Sequence, residues 1–381
     1  MTVTSSSPFY NVRDYGATGD ARTDDTAAIT EAISAAGPTS APTGNTVYFP
    51  AGKYLVTSSL AVPPALTLQG AGWNTPGAQV NTFAGSWIFV EAGAGFSPVT
   101  VSGSGGAVKS LGFNVPNQST AGPPASAQPM ILVGANNALI EDICLYNPYG
   151  GIYINNAAQA SVRRIFGQPV QYGIVIDGSR DTNYIDTVHF WPYYQPTTTT
   201  VASYQLANGV AICLLRCDNP HLSNIFAFNY NKGLSLSSSS TGIPHKVHLM
   251  NADFDRCVTG VHIGSPGAPG SAATIQMVNV TVQSPTGPGV PTGNGIWVET
   301  PAAYAMVQAS NVRISNSGLS AVRIDADNVN FFGENVSLEN WHGNAGFYIA
   351  SASSFAHLGV GCTAGDAPYA PRSQFRRPQL A

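Results

Sequence analysis

The phrase Asn224-Ile-Phe-Ala-Phe returns along the chain as Asn251-Ala-Asp-Phe-Asp, Asn279-Val-Thr-Val-Gln, Asn311-Val-Arg-Ile-Ser and Asn335-Val-Ser-Leu-Glu, at intervals of 24 to 32 residues. A period of that length restricts the fold to a repeat architecture, in which each unit cannot bury its own apolar face and must stack on its neighbours. Three earlier units keep the pattern with another residue in front: Asp142-Ile-Cys-Leu-Tyr, Arg164-Ile-Phe-Gly-Gln and Thr187-Val-His-Phe-Trp. One and three positions after this column the residues are apolar almost throughout, as in Val188/Phe190, Ala252/Phe254 and Val312/Ile314. That period of two predicts a strand with those side chains inside and the residues two and four positions on facing solvent.

Most units carry a second short strand further on: Gly151-Ile-Tyr-Ile, Gly173-Ile-Val-Ile, Gly233-Leu-Ser-Leu, Gly260-Val-His-Ile, Gly295-Ile-Trp-Val and Gly346-Phe-Tyr-Ile. Two or three short strands per unit, separated by Gly and Asn, predict an all-β parallel solenoid. Asn tolerates the left-handed backbone conformation, and its amide can bond to the equivalent residue above and below. The column therefore predicts an internal Asn ladder at a tight corner.

A solenoid lengthens by adding coils, so 381 residues are compatible with one domain. The 40 Gly and 27 Pro supply turns, whereas a charged content of 9% is too low for long surface helices. A net charge of −4 without a basic run argues against nucleic acid and anionic lipid as partners. No apolar run is long enough to span a bilayer, and the opening residues lack a basic stretch before an apolar core, so no secretory signal is expected. The setting stays open between extracellular and virion-associated. Five cysteines, Cys144, Cys213, Cys217, Cys257 and Cys362, have no metal-type spacing and read as buried small apolar residues. No metal or other cofactor is expected.

Near the start, Ala28, Ile29, Ala32 and Ile33 form one stripe behind a Thr23 or Asp24 cap, with Gly37-Pro38 as a stop, which predicts an amphipathic helix of about three turns. Strands over 46–50, 54–57 and 65–72 follow it. Tyr10-Asn-Val-Arg-Asp-Tyr-Gly-Ala-Thr-Gly-Asp, Asp24-Asp25-Thr26 and Val47-Tyr-Phe-Pro-Ala-Gly-Lys-Tyr resemble the N-terminal signature of the pectate-lyase-like, glycoside-hydrolase-28-related superfamily. That superfamily includes phage tailspikes, alginate epimerases and exo-polygalacturonases. The resemblance covers residues 9–72 and implies a single-stranded right-handed parallel β-helix, pectin-lyase-like, whose N-terminal helix plugs one end of the core. The division expected is a cap over 1–45, the β-helix over 46–365 and a tail over 366–381.

With coils stacked roughly 4.8 Å apart, outward residues of one column become spatial neighbours. The outward residues then run from aromatics into a carboxylate pair. Trp191, Tyr193, Tyr194, Phe228 and Tyr230 are expected as a stacking platform beside Asp253 and Asp255, with His189 two coils away. Aromatic faces stack on sugar rings and paired carboxylates cleave glycosidic bonds, so the substrate expected is a polysaccharide or oligosaccharide. Two residues apart on one strand face, Asp253 and Asp255 have Cα atoms roughly 6.6 Å apart, which leans toward inverting hydrolysis. One would be the general acid, its pKa raised by the other, while the second activates water. Arg256 is placed to orient a carboxylate, Arg313 to bind an acidic sugar, and Glu339, with Trp341 and His342, to line a distal subsite. The same residues also suit a simple turn cap, Asp253 pairing with Arg256.

The chain departs from the polygalacturonase pattern: Asn251-Ala-Asp253 echoes its Asn-x-Asp phrase, but the paired Asp-Asp, Gly-His-Gly and Arg-x-Lys phrases are absent, as is the epimerase Asp-Pro-His-Glu. The leading expectation is a glycoside hydrolase, with a β-eliminating polysaccharide lyase using His189 or Arg313 as base, or a non-catalytic carbohydrate-binding spike, as alternatives. Outward Phe166, Phe226 and Phe228, together with the tailspike resemblance, add the expectation of a homotrimer.

Overall fold

A computed structural model describes residues 9–37, 44–76, 82–264, 267–287, 289–300, 304–343 and 345–365. The tail over 366–381 and Pro38 lie outside the described residues. All ladders between the named strands are parallel and join each coil to the next, giving a long sheet of 17 strands and a second of 11. This is a parallel β-helix, as the repeats require.

The core follows directly from the repeated phrase. Val188, Ile225, Ala252, Val280, Val312 and Val336 pair in one column, and Phe190, Ala227, Phe254, Val282, Ile314 and Leu338 in the next. All of them are buried. The second sheet closes over them. Its recurrent Gly marks where a large side chain of the first sheet meets that backbone: a Cβ on Gly173, Gly233 or Gly295 would stand 2.4, 2.3 or 2.2 Å from Phe190, Phe254 or Ile314.

At the corner, Asp142, Arg164, Thr187, Asn224, Asn251, Asn279, Asn311 and Asn335 all have φ between 51° and 57°. Asn occupies five of these sites because it tolerates this region better than most residues with a Cβ. The side-chain amides form a continuous ladder: Asn335 Nδ2 donates to Asn311 Oδ1 (2.7 Å), Asn311 to Asn279 (3.1 Å), Asn279 to Asn251 (3.1 Å) and Asn251 to Asn224 (3.3 Å). Asn224 ends the run on Asp186 Oδ1 at 2.8 Å, and a carboxylate, which only accepts, is the group such a terminus needs. The ladder is exposed rather than internal. The bend turns its convex side to solvent, and the aliphatic residue directly after each Asn enters the core.

Asn279→Ala removes two amide bonds and forces a Cβ without a compensating amide into the left-handed region, at a combined cost of about 2 kcal/mol. Asn279→Gly keeps the conformation and loses only the bonds. A urea midpoint for Asn279→Gly lying between wild type and Asn279→Ala is the expected result.

The helix runs Thr26–Ala36 and buries Ile29, Ala32, Ile33 and Ala36 in the end of the core. Asp24 Oδ1 accepts from Thr26 N at 3.0 Å, while Asp25, directly before the helix, turns back to accept from Thr18 N and Gly19 N. Strands Phe9–Asn11 and Asp20–Asp24 already belong to the long sheet, pairing with Thr46–Phe49 and Gly52–Leu55. The coils therefore begin before the helix. An insertion after Trp191 interrupts the repeat and contains a second helix, Thr200–Asn208, capped by Thr199 Oγ1. The five cysteines are unpaired; four are buried and Cys362 is partly exposed.

Candidate functional site on the outer face of the long sheet

The register brings His189, Phe226, Asp253, Thr281, Arg313 and Ser337 into one outward column, and Phe228, Asp255, Gln283, Ser315 and Glu339 into the next. Asp253 and Asp255 thus share one face of strand Val247–Asp255, held there by the buried Ala252 and Phe254 between and before them.

Both carboxyls titrate above the usual range. Burial raises Asp253, the charge of Asp255 adds to it, and Arg313 partly offsets both. Burial also raises Asp255, opposed by the backbone N–H and the charge of Arg256. Among the described residues no side chain hydrogen-bonds Asp253. A half-buried carboxyl without a donor, next to a second carboxyl, favours the protonated form needed by a general acid.

The aromatic side is smaller than the sequence implies. His189 stacks on Phe226 with ring centroids 4.9 Å apart and meets Tyr193 Oη through Nδ1 at 3.0 Å. Burial lowers its pKa, so its neutral form dominates near neutrality. Trp191, 40% exposed, packs 4.7 Å from Phe228, whose own coil borders the Asp coil.

Two expected platform members are elsewhere. Tyr230 is wholly buried in the core with its hydroxyl donating to Pro169 O at 2.7 Å. The intervening Asn229 has φ 68°, and that second corner reverses the alternation that places Phe228 outside. Tyr194 is nearly buried because the insertion folds back over the sheet: Gln168 Oε1 accepts from Tyr194 N and Gln195 N, and Tyr194 Oη donates to Gln118 O. Phe166 is only partly exposed, its ring 5.3 Å from Trp73 of the same chain.

Arg256 bonds neither carboxylate through its side chain; its Nε donates to Asn229 Oδ1 at 2.9 Å. The simple Asp253–Arg256 cap is therefore not formed. Arg313 instead forks onto Glu339, at 3.2 Å from Nε and 2.7 Å from Nη2, with Ser337 Oγ completing the contact at 3.0 Å. Hydrogen bonding to Arg313 lowers Glu339. Trp341 is buried and His342 Nδ1 lies 3.2 Å from Ser317 O, so of the expected distal group only Glu339 belongs to the two outward columns. Thr281, between Asp253 and Arg313, and Gln283, beside Asp255, complete the lining, and both follow from the same alternation. Among the described residues, no group of three or more His, Cys, Asp or Glu is arranged to hold a metal, and no helix is long and apolar enough to cross a membrane.

Residues 9–98 match the family described as rhamnogalacturonase A/epimerase, pectate lyase-like. The match covers the N-terminal part of the chain, and the fold of the described residues is the parallel β-helix that the solved structures below share. Mannuronan C5-epimerase AlgE1 of Azotobacter vinelandii is 58% identical over 48 residues, 13% of this chain and 3% of that protein. Alginate lyase 7 of the same organism is 54% identical over 48 residues, 13% of this chain and 5% of the relative. The chain therefore spans only a small part of the curated relatives it matches. Among solved structures, the tailspike of E. coli bacteriophage HK620 has a TM-score of 0.59 at 11% identity, covering 94% of this chain and 67% of that one. A hyperthermoactive exopolygalacturonase from Thermotoga maritima has a TM-score of 0.58 at 10% identity, covering 93% and 91%.

Proposed function

We propose that this protein hydrolyses a glycosidic bond in a polysaccharide or oligosaccharide, with Asp253 and Asp255 as the catalytic pair. The observation that carries the reading is the pair itself: two half-buried carboxyls on one strand face, both titrating high, at the edge of an exposed aromatic patch. Asp253, raised further by its neighbour's charge and free of side-chain donors, acts as general acid, and Asp255 activates water. Trp191 and Phe228 offer faces to a sugar ring on one side, while the Arg313–Glu339 pair lies on the other. Likeness to an exopolygalacturonase and a tailspike supports the fold on which this reading stands.

The test is a panel of neutral and acidic polysaccharides incubated with the intact chain, with products followed by size and by ultraviolet absorbance. Shortened products without an absorbing chromophore are expected, because hydrolysis adds water across the bond. An unsaturated, absorbing product would replace the hydrolase with a β-eliminating lyase. Retention of the polymer on immobilised protein without any shortening would make the protein a binding spike.

A further inference from the structure

A second polar cluster occupies the outer face of the 11-stranded sheet, one residue per coil over three consecutive coils. Ser235 pairs with His262, and His262 with Trp297, in the outward column of that sheet; Glu299 follows two residues later. His262 Nε2 lies 2.7 Å from Glu299 Oε2, and His262 Nδ1 lies 3.1 Å from Ser235 Oγ. Ser235 and His262 are 2% and 3% exposed, whereas the Glu299 side chain retains 37%.

These contacts determine the protonation pattern. An ionised Glu299 only accepts, so Nε2 must carry the imidazole proton and Nδ1 presents its lone pair to the Ser235 hydroxyl. Burial, followed by the charge of Lys232, lowers the His262 pKa against the pull of Glu299, which keeps the ring neutral and able to act as a base. A serine hydroxyl on the free nitrogen of an imidazole whose other nitrogen is held by a carboxylate is the arrangement that activates a nucleophile. Ser237, whose Oγ lies 3.1 Å from Ser235 Oγ, is partly exposed and connects the serine to the surface, and the partly exposed Lys232 adds a positive charge near Glu299.

We propose that Ser235, His262 and Glu299 form a second, independent active site that hydrolyses small O-acyl esters. The Ser235 proton passes to His262 Nδ1 as Oγ bonds the acyl carbon. The ester C–O bond then breaks, and the leaving alkoxide takes the proton from Nδ1. Water repeats the sequence on the acyl-serine, releasing the carboxylic acid and restoring the hydroxyl. Glu299 holds the ring orientation and stabilises the transient imidazolium.

The experiment exposes the intact native protein to p-nitrophenyl acetate and, separately, to a fluorophosphonate probe whose adduct is mapped by peptide mass spectrometry. Nitrophenol release above buffer and a single adduct on Ser235 are expected. Both disappear in Ser235→Ala, and Glu299→Gln slows release by at least about tenfold through loss of the tautomer-fixing carboxylate. The adduct needs no variant, so misfolding of a mutant cannot hide the answer. An unlabelled Ser235, or release unchanged in a Ser235→Ala protein of wild-type melting temperature, overturns the proposal and makes the relay a packing device.

Discussion

Asp253→Asn and Asp255→Asn are each expected to slow polysaccharide cleavage by about 10²- to 10⁴-fold, the range supplied by a positioned acid or base. Neither is expected to lower the melting temperature near neutral pH. The second half of this expectation separates catalysis from scaffolding. A carboxylate that holds a turn together is hydrogen-bonded and titrates low, as Asp20 does when the Thr23 and Arg22 backbone amides bring it to about 2. Asp253 and Asp255 titrate high. A group whose pKa is higher in the folded than in the unfolded chain contributes stability while protonated and loses that contribution as pH rises through the folded value. Wherever these carboxyls are ionised the fold bears that cost, and a neutral amide of the same shape relieves it. Coupled loss of activity and stability in both variants would instead mark the pair as structural. The same shifts give the pH dependence: cleavage is retained on the acid side and falls as the general acid, Asp253, loses its proton.

The repeat carried the fold because each of its positions has one physical task. The apolar residues fill the core columns, the Asn adopts the left-handed bend, and the outward residues are left to vary. Where a coil keeps that arrangement, register and facing follow from the letters, and Asp253 beside Phe226 and Thr281 was legible in that way. Legibility ended at changes of direction. Tyr230 lies beyond the corner at Asn229, where counting by two no longer applies. Tyr194 and helix Thr200–Asn208 belong to an insertion whose course is set by Gln168 and Asn229 of other coils: Gln168 Nε2 donates to Gln205 Oε1 and Asn229 Nδ2 to Ala202 O. Arg256 sits next to Asp255 in sequence, but its positive φ of 52° sends its side chain to Asn229. The Ser235–His262–Glu299 relay escaped for a related reason. His262 and Trp297 stand out as an outward pair in sequence, but Glu299 reaches His262 from beyond the end of its own strand, a diagonal that column counting does not show.

Phe254→Ala is expected to destabilise the protein by about 3–5 kcal/mol, read as a fall in the urea midpoint, and to reduce cleavage with it. The ring is fully buried between Ala227 and Val282 in its column and rests on the backbone of Gly233 in the facing sheet. Truncation removes the ring's transfer free energy and leaves a cavity that cannot close from either side. Ala227 has no length to reach into it, and the Gly233 strand is pinned by ladders to both of its neighbours. Against a total stability of order 5–15 kcal/mol, that loss is severe for one residue. The functional effect follows from alternation, because Asp253 and Asp255 point outward from the backbone on either side of the side chain that anchors it. Phe254→Leu, which keeps much of the volume, is expected to retain most of the stability and place the carboxyls nearly as before. Gly233→Ala approaches the same contact from the opposite sheet, with its Cβ meeting the ring at 2.3 Å. If Phe254 acts only through bulk stability, activity at a temperature where every variant remains folded should be unchanged. If it sets the carboxylate geometry, Phe254→Ala loses activity there too, and Gly233→Ala, by displacing the ring, loses part of it.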